Sequence, residues 1–187
     1  MIMKRKAIIF GIKGVKLTSS ERSLLNRYKP WGIILFSRNI KNIKQLKLLI
    51  NEIKTLVNDT KYPILIDQEG GAVSRLNNII DLSMFSQNFF GNLYEKNKNK
   101  FEIFYKVYIN TVCSILKDLG ININTVPILD IRTKKGHNII GDRSFSYKKN
   151  IVSKLGKICI KLYNENRIAT VIKHIPGHGL SKVDSHF

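Results

Sequence analysis

Short, unbroken apolar runs alternate along this chain with stretches whose apolar residues recur at helical spacing. The runs are Ala7–Ile12, Trp31–Phe36, Pro63–Ile66, Ile121–Ile131 and Ala169–Ile172, and each is predicted to be a strand. Between them, Thr18-Ser-Ser-Glu21 has the pattern of a capping box, which predicts a helix that starts there and stops before Pro30. Ile43, Leu46, Ile50, Ile53 and Val57 mark the apolar stripe of a second helix. A loop rich in Asn, Ser and Phe is expected from Asn77 to about Asn99, followed by a long helix ending at Gly120 and another over Tyr147–Asn164. The chain then closes in a Gly-rich loop. Strands that are continuously apolar and alternate with helices predict a parallel sheet covered on both faces. Pro127 is the local conflict, because a proline inside a central strand removes a ladder hydrogen bond, and a bulge is the expected remedy.

Two architectures satisfy this pattern, a doubly wound sheet and a (β/α)8 barrel. The glycines after the first strand read Gly11-Ile-Lys-Gly14, which is not the dinucleotide fingerprint G-x-G-x-x-G. A barrel usually takes about 250 residues, whereas five strand–helix units occupy all 187 here.

Composition removes several classes of function. With 43% apolar and 24% charged residues the chain is an ordinary globular mix. No apolar run reaches the ~18 residues of a membrane span. The basic start Met1–Lys6 leads into an apolar run too short for a signal peptide, so a cytoplasmic location without membrane association is expected. Cys113 and Cys159 lie in helical stretches without C-x-x-C spacing and read as buried, reduced thiols. The net charge of +19 raises nucleic-acid binding as a remote alternative, but the lysines are scattered and form no run of five. Lys, Asn and Ile supply 71 of the 187 residues, and all three have A/T-rich codons, so the charge is read as a solvated surface with no nucleic-acid partner.

Candidate chemistry gathers just past the carboxyl ends of strands, where both architectures place reactive groups. The third strand runs into Asp67-Gln-Glu-Gly-Gly71 and the fourth into Asp130, with Gly141-Asp-Arg-Ser-Phe145 beyond it. After the fifth come Lys173-His-Ile-Pro-Gly-His-Gly179 and Asp184-Ser-His186. Taken singly, each has a structural explanation: a turn at Gly70-Gly71, a cap or loop anchor at Asp130, an ion pair from Arg143 to Asp142 or Glu69. Recurrence after three successive strands favours a site. His174 and His178 stand four apart like zinc ligands on a helix, but Pro176 and Gly177 between them break any helix, leaving a loop-built zinc site as the minor alternative. In an extended loop Asp184 and His186 point the same way, so the carboxylate can fix the imidazole's tautomer and make it a proton donor and acceptor near neutral pH.

These residues resemble those of the glycoside hydrolase family 3 β-N-acetylhexosaminidases of bacterial peptidoglycan recycling. The matching blocks are Ile34-Leu-Phe-Ser-Arg-Asn39, Ile66-Asp-Gln-Glu-Gly-Gly71 with Arg75, Val126-Pro-Ile-Leu-Asp130, Gly141-Asp-Arg-Ser-Phe145 and Lys173-His-Ile-Pro-Gly-His-Gly179 with Asp184-Ser-His186, in the family's order along the whole chain. The resemblance implies an α/β fold of the parallel (β/α)8 TIM-barrel type, present here as an incomplete barrel of about five strands. Residues 1–187 would be the family's N-terminal domain, truncated at its C-terminus.

By resemblance, Asp67 binds sugar hydroxyls in a terminal N-acetylglucosamine pocket completed by Arg75, Arg143, Lys173 and His174. His186 is the catalytic acid/base, with Asp184 as its orienting partner. The substrates implied are muropeptide fragments carrying N-acetylglucosamine, and no cofactor or metal is needed. The family retains configuration through a carboxylate nucleophile. That residue belongs to a strand after the Asp184-Ser-His186 loop, outside these 187 residues, so a complementary C-terminal chain is a candidate partner. Asp130 is the one residue that could substitute for it. Ala72 stands where the family usually has Arg. A non-catalytic binder of muropeptide sugars, or an inactive truncated product, is the alternative function.

Overall fold

The computed structural model of the protein describes residues 5–133 and 138–183. Its framework is one parallel sheet in which strand order follows chain order: β1 (Lys6–Gly11), β2 (Pro30–Leu35), β3 (Ile64–Ile66), β4 (Ile123–Asn124) and β5 (Ala169–Thr170). Such an order needs a crossover after every strand, and helices supply it: α1 (Ser19–Tyr28), α2 (Ile43–Leu56), α3 (Gln87–Lys96), α4 (Lys98–Leu119) and α5 (Lys149–Glu165).

Local chemistry sets the helix limits. Thr18 and Glu21 form the reciprocal capping box, the Glu21 amide donating to Thr18 Oγ1 at 3.2 Å and the Thr18 amide to Glu21 Oε2 at 2.7 Å. Gly120 ends α4 in the left-handed region at φ 86°, as its position after the apolar stripe predicts. On α2 the core face is Leu46, Leu49, Ile50 and Ile53, while the expected first contact, Ile43, is exposed.

Three expectations need correction. The segment 77–99 is not all loop, because Gln87–Lys96 is helix α3, capped by Ser86. Phe90 and Tyr94 on its buried face pack against Tyr105 and Phe101 of α4, the first pair tilted and the second edge to face, so those aromatics are core. The fourth strand is also far shorter than Ile121–Ile131. After Asn124 the ladder breaks, and the Gln87 side chain takes over, accepting from the Ile128 amide at 3.1 Å and donating to the Ile128 carbonyl at 3.1 Å. Pro127 has no amide for a ladder, and its peptide bond with Val126 is cis. Pairing with the fifth strand's extension then resumes, as the Leu129 amide donates to the Lys173 carbonyl at 2.7 Å. Finally, the sheet is covered on both faces only in its middle. Ile33, Leu35, Ile64 and Ile66 are buried, but Ile8, Ile9, Val171 and Ile172 at the two outer strands are exposed. Cys113 and Cys159 are buried and free, with thiol pKa values pushed up to about 12 by burial.

Candidate active site

The loops after β3, β4 and β5 converge at the carboxyl end of the sheet. Their backbone is held by two buried amides. Asn124 receives the Gln68 amide on Oδ1 at 2.9 Å and returns Nδ2 to the Gln68 carbonyl at 2.9 Å, tying the end of β4 to that of β3. Gln68 Oε1 accepts from the Arg75 and Leu76 amides at 2.9 and 3.1 Å, closing the loop that Asp67 begins. That loop turns back at Gly70 and Gly71, both at positive φ. A Cβ on Gly70 would lie 2.3 Å from the Phe85 carbonyl oxygen, so the pair is imposed by packing as well as by conformation.

On this frame two buried carboxylates support the groups nearer solvent. Glu69, only 1% exposed, takes a bidentate pair from Arg143 (Nε to Oε2 at 2.8 Å, Nη2 to Oε1 at 3.0 Å) and the Lys173 ammonium at 2.7 Å. Lys173 Nζ also reaches Asp67 Oδ1 at 2.8 Å and Thr125 Oγ1 at 3.0 Å. Thr125 donates to the same Asp67 oxygen, and Arg75 stands 3.7 Å from the other. Burial pushes the Asp67 carboxyl up, but Lys173, with help from Thr125 and Arg75, leaves its pKa below the usual value. Burial likewise disfavours charge on Arg143, and Glu69 more than offsets this, raising its pKa.

Asp130 is the second support. Its side chain is fully buried and all its lone pairs are directed at donors. Oδ2 accepts the His174 amide at 3.1 Å and faces His174 Nδ1 at 2.6 Å; Oδ1 accepts the amides of His178 and of Gly179, the latter at 3.1 Å. Against the upward push of burial, these donors hold its pKa down at about 2. An enclosed carboxylate saturated in this way has no oxygen free to attack a substrate, so Asp130 is not a substitute nucleophile.

The structure therefore brings Asp67, Arg75 and Lys173 into direct contact, joins Arg143 to them through Glu69, and sets His174 beside them on Asp130. Arg143 chooses Glu69 over Asp142. Asp184 and His186 lie outside the described residues. Among the described residues no group of His, Cys, Asp or Glu is arranged to hold a metal ion, and the rings of His174 and His178 are 6.2 Å apart. Glu69 is the Arg143 partner that the sequence offers beside Asp142, but its contact with Lys173 and the part played by Thr125 are not among the sequence expectations. Thr125, in an apolar run, carries no sequence signal for that part. Asn39 of the first matched block is also structural, since its Nδ2 spans the Ile12 and Gly14 carbonyls at 3.0 Å.

A family model, the glycosyl hydrolase family 3 N-terminal domain, matches residues 3–187. The chain belongs to glycosyl hydrolase family 3. Among curated relatives, it is 34% identical to a beta-hexosaminidase A from Pseudoalteromonas piscicida over 87% of this chain and 27% of that protein. It is 29% identical to a beta-hexosaminidase from Thioalkalivibrio sulfidiphilus over 96% of this chain and 51% of that one. The chain thus spans between about a quarter and about half the length of these family 3 relatives. Among solved structures, NagZ from Neisseria gonorrhoeae in complex with N-trifluoroacetyl-D-glucosamine superposes with a TM-score of 0.85 at 31% identity, over 98% of this chain and 53% of that one. A family 3 beta-N-acetylglucosaminidase from Paenibacillus gives 0.80 at 31% identity, over 95% and 33%. The five-stranded parallel sheet is accordingly of the family 3 TIM-barrel type, and no helix among the described residues is long and apolar enough to cross a membrane.

Proposed function

We propose that this chain carries the sugar-recognising part of a retaining β-N-acetylhexosaminidase, acting in the cytoplasm on muropeptide fragments that end in N-acetylglucosamine. The observation that carries this reading is the Asp67–Lys173 pair, 2.8 Å apart across the ends of β3 and β5 and flanked by Arg75. A sugar hydroxyl both donates and accepts. Asp67 is an acceptor only and Lys173 and Arg75 are donors only, so together they meet both halves of that requirement. Glu69, behind them, keeps Lys173 and Arg143 at fixed positions, so ordering those long side chains need not be done when sugar binds. His174 completes the pocket, and His186 with Asp184 serves as acid and base.

Retention needs a carboxylate on the face of the sugar opposite the acid. Asp130 cannot supply it, and Asp67 and Glu69 are held by cations. The 187-residue chain is therefore expected to bind N-acetylglucosamine weakly at best and not to turn over an aryl N-acetylglucosaminide. Two measurements test this. Titration of N-acetylglucosamine followed by NMR should show binding that Asp67→Ala abolishes; binding unaffected by that change would overturn the pocket assignment. Hydrolysis of the aryl glycoside that His186→Ala abolishes would show that a carboxylate of this chain does serve as nucleophile.

A further inference from the structure

The segment Lys173–Gly179 departs from β5 and curls around a single side chain, that of Asp130. We propose that Asp130 is a positioning residue of the site: it fixes His174 in the Nδ1–H tautomer and moors the 174–179 loop, so that Nε2 is presented as a hydrogen-bond acceptor. This deepens the sugar-binding reading and rests on it only for what Nε2 meets.

The argument is one of valence and access. An ionised carboxylate donates nothing, so a ring nitrogen 2.6 Å from Oδ2 must carry the hydrogen. In the neutral imidazole the lone pair then resides on Nε2. The Asp130 side chain is completely enclosed while that of His174 keeps 36% of its exposure, so the acceptor is on the accessible member of the pair. The backbone repeats the arrangement, since the amides of His174, His178 and Gly179 all end on the same carboxylate. Gly179 is required for this approach, because a Cβ there would lie 2.2 Å from the Ile131 carbonyl oxygen. On the other side, the Asp130 carbonyl accepts the Ser144 hydroxyl at 2.6 Å, which ties the loop after β4 to the same point. The titratable groups around the pair are His178, whose ring is 6.2 Å from that of His174, and Arg143, which feels the Asp130 charge. The Lys173 ammonium is turned to Asp67 and Glu69. The consequence for recognition is specific. Arg75, Arg143 and Lys173 can only donate, so a neutral acceptor at His174 lets a sugar hydroxyl donate to a group that carries no charge.

The test is a long-range ¹H–¹⁵N spectrum of the chain with ¹⁵N-labelled histidine, recorded at about pH 8, above the ordinary imidazole pKa of about 6.5; the His174 signals are assigned by their loss in His174→Gln. A single Nδ1–H tautomer is expected in the native protein. An Nε2–H tautomer, or a mixture of the two, would overturn the proposal without any variant having to fold. In Asp130→Asn the ring should lose its fixed tautomer, and N-acetylglucosamine affinity should fall about 10- to 100-fold, the range for a charged hydrogen bond. A folded Asp130→Asn protein with the native tautomer and affinity would also refute it. If the native chain shows the tautomer but binds no sugar under any condition, the sugar-site reading fails and the assignment of Asp130 as the group that orients His174 stands.

Discussion

The middle of the sheet and its outer flank are built from similar sequences and end in opposite states. Ile64 and Ile66 of β3 are fully buried, whereas Ile8 and Ile9 of β1, in an equally apolar run, are 55% and 43% exposed. The difference is in neighbours. β3 is hydrogen-bonded on both sides and covered by helices, while β1 pairs with β2 alone and its outer face, with Phe10, Leu24, Tyr28 and Pro30, lines an apolar recess of about 500 Å³. The site is on the buried side of that contrast: Asp67, Asp130 and the amides that place them extend from strands whose positions are over-determined by packing. An apolar strand sequence thus reports a demand for cover, and only the assembled neighbours say where the demand is met.

The strongest way to break the contrast is at the support beneath the site. Glu69→Ala would leave the Arg143 guanidinium and the Lys173 ammonium without their buried partner, and a loss of about 3–5 kcal/mol is expected in chemical denaturation. A loss below about 1 kcal/mol would mean that this end of the sheet is no better determined than the flank. Next is Gly91→Ala on α3, where a Cβ would fall 1.8 Å from the Phe145 carbonyl oxygen. Helix and loop must separate, and about 1–3 kcal/mol or more should be lost in thermal or denaturant melts, with the Arg143 loop displaced.

Acid sharpens the comparison. Asp130, at about 2, and Asp67 both have folded pKa values below those of the unfolded chain. Their contribution is therefore present above the unfolded carboxylate pKa of about 4 and is lost as pH falls toward 2. Stability measured from about pH 5 downward should drop through that window, and Asp130→Asn should be less stable above it and flatter within it. The smallest effect belongs to the flank. Ile8→Lys should change monomer stability by no more than about 0.5 kcal/mol, and it should weaken the self-association expected of an exposed apolar strand edge. Sedimentation at increasing concentration measures this, and unchanged behaviour of the two proteins would show that the flank drives no association.

Much of this was legible beforehand because it depends on neighbours in sequence. Thr18 and Glu21 are three apart and cap α1; Gly120 follows an apolar stripe and ends α4; Asp67, Asp130 and Lys173 each come just after an apolar run. Gln87 shows the opposite case. It lies in a stretch rich in Asn, Ser and Phe that reads as loop, yet it begins a helix and completes the hydrogen bonding of Ile128, 41 residues away. The fourth strand is shorter than its apolar run for the same reason, since apolar character records burial, and from Val126 to Ile128 burial is achieved with the Gln87 side chain in place of a regular ladder.

The sequence by itself determined the alternation of strands and helices, the caps, and the set of charged residues that follow the strands, because periodicity, capping and chain order are local properties. Which of those charges support and which face a ligand was decided by the tertiary structure alone. Asp67 and Asp130 are both aspartates placed after a strand, and only the packing around them makes one a partner of Lys173 near solvent and the other an enclosed acceptor of four donors. Burial and the number of donors within reach are properties of the assembled loops, and they set each carboxylate's role.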